Sequence, residues 1–201
     1  ATARWGCYQN LLAWKLFTEI DLTGDDKDFY KQPVMARWHR RAARCVKKHD
    51  PYDHIVTTHW MLAYTQINAE VASVPELDML TTDAYYLNRH YGVARCLRLI
   101  RDGTAFGQNF DKPLVITEFG GSPHADSLGN LLKQAHAGIW QGFFCNAPVV
   151  PLFWWFGLSD ERNLYGSTKA LATFADGEDR RALGNPRSVR RNWHLVHTLQ
   201  N

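Results

Sequence analysis

The chain has 201 residues, 45% of them apolar and 13% aromatic, which is enough material for a sizeable buried core. Its 23 Lys and Arg residues stand against 20 Asp and Glu, so the formal charge of +3 gives nucleic-acid binding no support. No stretch approaches the roughly 18 consecutive apolar residues of a membrane span. The first residues also lack the basic-then-apolar pattern of a secretory signal. The sequence therefore reads as a soluble chain whose compartment is not encoded.

Cys7, Cys45, Cys96 and Cys145 are widely separated with no CxxC pair, and they read as buried free thiols, Cys45 and Cys96 on the apolar faces of helices. There is no HExxH, GxSxG, GxGxxG or Walker motif, so common metal, serine-hydrolase and nucleotide chemistries drop out. Neither a metal nor a cofactor is expected.

In chain order, two kinds of segment alternate. Short apolar or β-branched runs at Leu11 to Ile20, His54 to Thr58, Leu77 to Thr82, Pro113 to Thr117 and Val149 to Phe156 predict strands buried on both faces. Between them, Val34, Trp38, Ala42 and Cys45 share one face of a helix that Asp50-Pro51 ends. Val93, Leu97 and Ile100 repeat the spacing before Asp102-Gly103, and Leu128, Leu132, Ala135, Ile139 and Phe143 mark a third helix. Phe174 to Asn185 reads as a surface loop. Ser188 to Leu199 reads as a closing helix with Val189, Trp193, Val196 and Leu199 inward. Strands alternating with helices of this length predict βαβ units and a parallel α/β sheet of about five strands, with residues 1–201 as a single domain.

In such a sheet, functional groups collect at the C-terminal strand ends. Those ends read Phe17-Thr18-Glu19, Thr57-Thr58-His59, Asp83-Ala84-Tyr85-Tyr86, Thr117-Glu118-Phe119-Gly120-Gly121 and Phe153-Trp154-Trp155. Two carboxylates thus end two separate strands, and a carboxylate after an apolar strand is either solvated at the rim or held for a purpose. Glycosidic hydrolysis needs two such groups flanking the bond, and aromatic faces suit the apolar faces of sugar rings.

The run Leu11-Leu12-Ala13-Trp14-Lys15-Leu16-Phe17-Thr18-Glu19, following Arg4-Trp5-Gly6, resembles the fourth-strand motif of cellulase-like (family 5 type) clan-A glycoside hydrolases. Asp50-Pro51-Tyr52-Asp53-His54-Ile55-Val56-Thr57-Thr58 is similar to their fifth strand, Pro113-Leu114-Val115-Ile116-Thr117-Glu118-Phe119-Gly120 to the seventh, and Trp154-Trp155 to the eighth. The resemblance implies a partial (β/α)₈ TIM barrel, strands four to eight, with covering helices. It implies retaining hydrolysis of a β-linked polysaccharide, a β-1,4-glucan or mannan, with Glu19 as acid/base and Glu118 as nucleophile. Their carboxyls are then expected on one rim, near the roughly 5 to 5.5 Å of retaining enzymes. It implies substrate contacts from Thr18, His59, Asp83, Tyr85, Trp154 and Trp155, with Tyr85 matching the tyrosine that orients the nucleophile.

Three departures stand against the pattern. Thr18 replaces an Asn that contacts the sugar 2-hydroxyl, Asp83 stands where a His is usual, and Lys15 replaces a Glu on the side expected to face the barrel interior with Glu19. The family's first three strands have no counterpart in the sequence. The alternative reading is therefore a non-catalytic half-barrel with at most weak carbohydrate binding. Open sheet edges also predict self-association, with a two-fold homodimer as the simplest closed form.

Overall fold

The computed structural model describes residues 1–61, 63–86, 92–122, 126–178, 187–191 and 194–198. At its centre is an all-parallel sheet of five strands: β1 (Ala13–Lys15), β2 (Ile55–Trp60), β3 (Met79–Tyr86), β4 (Leu114–Gly121) and β5 (Leu152–Phe153). Spatial order equals chain order, and the sheet curls into half of an α/β barrel with helices around it. Helix α1 (Thr2–Trp5) precedes β1. Helix α2 (Pro33–His49) joins β1 to β2, α3 (Ala69–Ala72) precedes β3, and α4 (Gly92–Phe106) precedes β4. Helix α5 (Leu128–Phe144) leads into β5, and α6 (Phe156–Glu161) and α7 (Tyr165–Ala175) follow it.

Local chemistry starts these helices where they are needed. Pro33 occupies the first turn of α2, where its missing N–H costs nothing. The Ser127 side chain accepts from Asn130 N at 3.2 Å to cap α5, and Asn68 accepts from Glu70 N at 2.8 Å to cap α3. No helix among the described residues is long and apolar enough to cross a membrane.

Register sorts the strand residues onto two faces, because partners in a parallel pair point the same way. Thr58 meets His39 of α2 through its hydroxyl at 2.9 Å, so it looks outward towards the helices. Val56, Trp60, Leu80, Thr82, Leu114 and Ile116 share that convex face and form its core. The alternate set, Lys15, Thr57, His59, Thr81, Asp83 and Thr117, looks towards the concave side. Met79 and Val115, level with Thr57 and Thr81, share the concave side, so that layer is mixed, while the convex layer packs beneath the helices; the alternation between the two is what a barrel strand imposes.

One irregularity matters for the site. Thr82 pairs with Ile116, but Ala84 pairs with Phe119, so β4 carries one more residue than β3 over this interval. Thr117 and Glu118 both oppose Asp83, which is a β-bulge. Beyond it Phe119 is on the convex face again, fully buried against α5, where Gly138 leaves room for its ring.

Several expectations are corrected. The first strand is three residues rather than the run Leu11 to Ile20. After Leu16 N bonds Thr57 O at 2.8 Å the chain turns away, Glu19 becomes left-handed and Ile20 enters the core on a 3₁₀ turn. The fifth strand contracts to Leu152–Phe153, since Pro148 and Pro151 lack an N–H to pair and Phe156 already begins α6. The buried face of α2 is Met35, His39 and Ala43, one position round from the expected one; Val34 and Trp38 are exposed. The cause is His39, read as polar but held inside by Met35 O at 2.8 Å and Thr58.

Asp102-Gly103 does not stop α4, which continues to Phe106. Gly103 is there for packing, as a Cβ would come within 2.9 Å of Ile116. On α5 the inward residue of the first turn is Leu131, and Leu128 is exposed. Phe174 belongs to α7 rather than to a loop. Residues 187–191 and 194–198 form an antiparallel strand pair, β6 (Arg187–Arg191) and β7 (His194–Thr198), instead of a closing helix. The spacing of Val189 and Val196 fits a period of two as well as a helix, and adjacent short segments satisfy each other's backbone by pairing. Trp193 and Leu199 lie outside the described residues. All four cysteines are free, but only Cys96 is fully buried; Cys7 and Cys45 are exposed. Lys15 is on the concave side as expected, level with Thr57, and is exposed there.

Candidate active site

The C-terminal ends of β1 to β4 gather the expected residues into two hydrogen-bonded sets, Tyr85 with Glu118 and the Glu19 backbone with His59 and Asp83. Tyr85, near the end of β3, donates its hydroxyl to Glu118 Oε2 at 2.6 Å across the bulge. Without the extra residue, strand alternation would place Glu118 on the convex face with Ala84; the bulge turns it to the face of Asp83 and Tyr85. Thr117 stays on the same side and donates to Asp83 Oδ1 at 2.8 Å.

His59, at the end of β2, is almost fully buried, and both of its ring nitrogens are engaged. The Glu19 backbone N–H donates to Nδ1 at 3.2 Å, so the ring proton resides on Nε2, which donates to Asp83 Oδ1 at 3.0 Å. Glu19 has φ 55 and ψ 53, a left-handed conformation that a residue with a Cβ rarely adopts. Asp83 is 1% exposed, and its second oxygen, Oδ2, has no hydrogen-bond partner among the described residues.

The electrostatics follow from this crowding. Burial pushes the Glu118 carboxyl above its ordinary value; the Tyr85 hydrogen bond pulls it back, the Asp83 charge raises it, His59 lowers it and Glu19 raises it. Burial and the bond to Glu118 together push the Tyr85 hydroxyl far up, with Asp83 and Glu19 adding to the effect, so it remains a protonated donor. Asp83 and Glu19 therefore both act on Glu118 at one end of the sheet.

The aromatic residues after β5 belong to a cleft whose lining includes none of Glu19, His59, Asp83, Tyr85 and Glu118. Trp155 donates Nε1–H to Gly121 O at 2.6 Å and packs on Gly120, whose φ of 149 and lack of a side chain allow that approach. Trp154 is partly exposed and meets Phe156 edge to face. Trp154, Trp155, Phe156, Leu128 and Leu131 line a cleft of about 610 Å³, with Asp126 at its edge. Thr18 is exposed beside Glu19. No group of three or more metal-ligating side chains occurs among the described residues.

Sequence reasoning missed Thr117 and the network beneath the cleft. Asp126 accepts from Tyr86 at 2.5 Å and from Gln134 at 2.9 Å, and Gln134 in turn accepts from Gly121 N at 2.7 Å. A polar residue in the middle of an apolar helix face, as Gln134 is, was the available signal for the second; for Thr117 it was strand alternation, which puts it opposite Asp83 on the concave side.

No protein-family model and no curated protein matches the chain. Among solved structures it is similar to the CBM22-1 and GH10 modules of the N-terminal endo-1,4-beta-D-xylanase 10B of Clostridium thermocellum, complexed with xylohexaose. The two share 14% identity at a TM-score of 0.51, over 72% of this chain and 33% of that one. The likeness is one of fold. This chain spans about a third of the length of that neighbour, 33%.

Proposed function

We propose that this chain carries a retaining β-glycosidase site on a half-barrel, acting on a β-1,4-linked polysaccharide or its oligosaccharides. The observation that supports it most is the Tyr85 to Glu118 hydrogen bond at 2.6 Å, beside a second set formed by Asp83, His59 and the backbone of Glu19. In the first step a Glu118 carboxylate oxygen bonds to the anomeric carbon while the glycosidic C–O bond breaks and the Glu19 proton passes to the leaving oxygen. In the second, Glu19 takes a proton from water, the water oxygen attacks the anomeric carbon, and Glu118 departs as carboxylate. Thr18, Trp154 and Trp155 contact the sugar. The neighbour's xylohexaose makes β-1,4-xylo-oligosaccharides a reasonable first substrate to try beside glucans and mannans.

Hydrolysis of an aryl β-glycoside and of β-1,4-oligosaccharides, by wild type and by Glu118→Gln and Glu19→Gln, tests the reading. Glu118→Gln abolishes both activities; Glu19→Gln spares the aryl substrate, whose leaving group needs little protonation. Equal turnover by wild type and Glu118→Gln rejects the nucleophile.

The second reading, a half-barrel that binds sugar without turning it over, is favoured by Thr18 in place of the Asn of the resembled motif. It predicts saturable oligosaccharide binding lost in Trp154→Ala with no product from wild type. The reading also includes residues 1–201 as one domain and self-association through the open edges at β1 and β5, where Leu12 and Leu152 are exposed. Light scattering at micromolar concentration, returning a dimer mass, is the expected result.

A further inference from the structure

We propose that His59 and Asp83 are a positioning pair that holds the main chain of Glu19 in its left-handed turn and thereby aims the acid/base carboxyl. The inference rests on the reading of Glu19 as acid/base for its purpose, but the clamp itself stands on geometry.

A non-glycine residue at φ 55 costs free energy and persists only where its surroundings over-determine it. Among the described residues, the amide of Glu19 donates to the Nδ1 of His59 at 3.2 Å. That acceptor exists only in the tautomer with the proton on Nε2. Asp83 selects this tautomer, because its Oδ1 accepts Nε2–H at 3.0 Å and has no proton to give back as a carboxylate. Thr117 in turn fixes Asp83 by donating to the same oxygen at 2.8 Å. The chain of bonds runs from β4 through β3 and β2 to the turn after β1, so four strand ends are tied to one main-chain conformation. His59 and Asp83 are each 1% exposed, which keeps water from competing for these bonds. With both ring nitrogens occupied, His59 has no group left for a substrate. Its role is therefore to place Glu19 rather than to touch sugar, and it acts as a positioning residue.

Two measurements on the full chain test this. Nitrogen NMR of the imidazoles at neutral pH should show His59 with a pyridine-like Nδ1 and a pyrrole-like Nε2. A proton on Nδ1 overturns the pair. Hydrogen exchange at the Glu19 amide should be faster by at least roughly tenfold in His59→Ala, with amides of β3 unchanged. His59→Asn, whose carboxamide oxygen can stand where Nδ1 stood, should restore protection. Asp83→Asn, still an acceptor, should retain it, and Asp83→Leu should lose it; unchanged exchange in both His59→Ala and Asp83→Leu overturns the proposal. Should His59→Ala fail to fold, the Asn variant and the Asp83 variants decide.

Kinetics then separate this proposal from the reading of function. If Glu19 is the acid, His59→Ala lowers kcat on oligosaccharides by at least roughly tenfold more than on an activated aryl glycoside, with little change in KM. An equal loss on both substrates overturns aiming of the acid. No turnover of either by wild type, with the NMR and exchange results as expected, rejects the enzymatic reading and keeps the clamp.

Discussion

Tyr85 and Glu118 meet at 2.6 Å only because β4 carries one more residue than β3 between the pairs Thr82 with Ile116 and Ala84 with Phe119. Strand parity alone would send the carboxyl to the helix side beside Ala84, in the place that Phe119 takes. The bulge shifts the phase of β4 by one residue from there on, so Phe119 fills the convex core while a carboxylate is added to the concave face.

Removing the Tyr85 hydroxyl should therefore act on Glu118 directly. The hydrogen bond stabilises the ionised carboxyl against burial and against Asp83 and Glu19, so Tyr85→Phe raises the Glu118 pKa further, whereas Asp83→Asn removes a repelling charge and lowers it. On the proposed reading Glu118 is the nucleophile, which must be ionised. The acid limb of kcat/KM should move to higher pH in Tyr85→Phe and to lower pH in Asp83→Asn. A bond to a charged group contributes about 1.5 to 3 kcal/mol, so Tyr85→Phe should lose roughly 10- to 100-fold in kcat/KM. The pH profile of each variant on one aryl glycoside checks both directions.

Stability should respond in the opposite sense to activity. Glu118 has a raised pKa in the folded state, so the native chain binds more protons than the unfolded one between the ordinary carboxylate value and the raised one. Stability is fully present below that window and falls as pH rises through it. Glu118→Gln removes the penalty and should raise Tm at pH 7. Calorimetry at pH 4 and pH 7 checks this: the gain should be present at the higher pH and shrink at the lower.

The alternation of apolar runs with amphipathic segments made a parallel α/β sheet of about five strands legible, because burial on both faces forces continuous β-branched runs. Residues at strand ends were legible for the same reason. What could not be read were the events that break periodicity. Nothing in Thr117-Glu118 marks a bulge, since register is set by both strands and by the helices behind them. His39 and Gln134 looked polar and are buried, because each found partners far away in sequence, Thr58 for one and Tyr86 for the other. The segments of β6 and β7 read as a helix in sequence because a short apolar pattern fits both periods.

Asp50 should control acid stability. It ends α2 and accepts from Trp14 Nε1 at 3.0 Å, from His54 N at 3.0 Å and from Tyr52 N at 3.2 Å, with the His54 ring at 2.9 Å. Desolvation opposes its ionisation, but the bonds from His54, Trp14 and Tyr52 outweigh it and hold the carboxyl down at about 2. A depressed carboxylate contributes stability above its unfolded value, 3.8, that is lost as pH falls towards about 2. Asp50→Asn should lower Tm at neutral pH and flatten its fall between pH 4 and pH 2, measured by circular dichroism.

Glycines in α5 should divide by what faces them. A Cβ at Gly138 would run into the Phe119 ring, which is fully buried and has nowhere to go, so Gly138→Ala should lose about 1 to 3 kcal/mol. At Gly129, on the same helix, a Cβ meets nothing, and Gly129→Ala should gain about 0.5 to 1 kcal/mol from reduced backbone entropy. Denaturant titration of both variants decides; equal effects would contradict the packing of α5 on β4.

The left-handed turn at Glu19 makes a prediction that inverts the usual order of Gly and Ala. At an ordinary position Ala is the more stable choice, because Gly loses more freedom on folding. At φ 55 and ψ 53 a Cβ collides with its own carbonyl, costing roughly 1 to 2 kcal/mol that glycine does not incur. Both Glu19→Gly and Glu19→Ala remove the carboxyl and with it the repulsion of Glu118, so that contribution cancels between them. The difference left over reports the backbone alone, and Glu19→Gly should be the more stable by about 1 kcal/mol. In His59→Ala, where the amide of Glu19 has lost its acceptor and the turn is free to relax, the same comparison should shrink towards zero. Denaturant midpoints of the four chains measure it, and a Gly preference that persists undiminished without His59 would show that some other contact sets the turn.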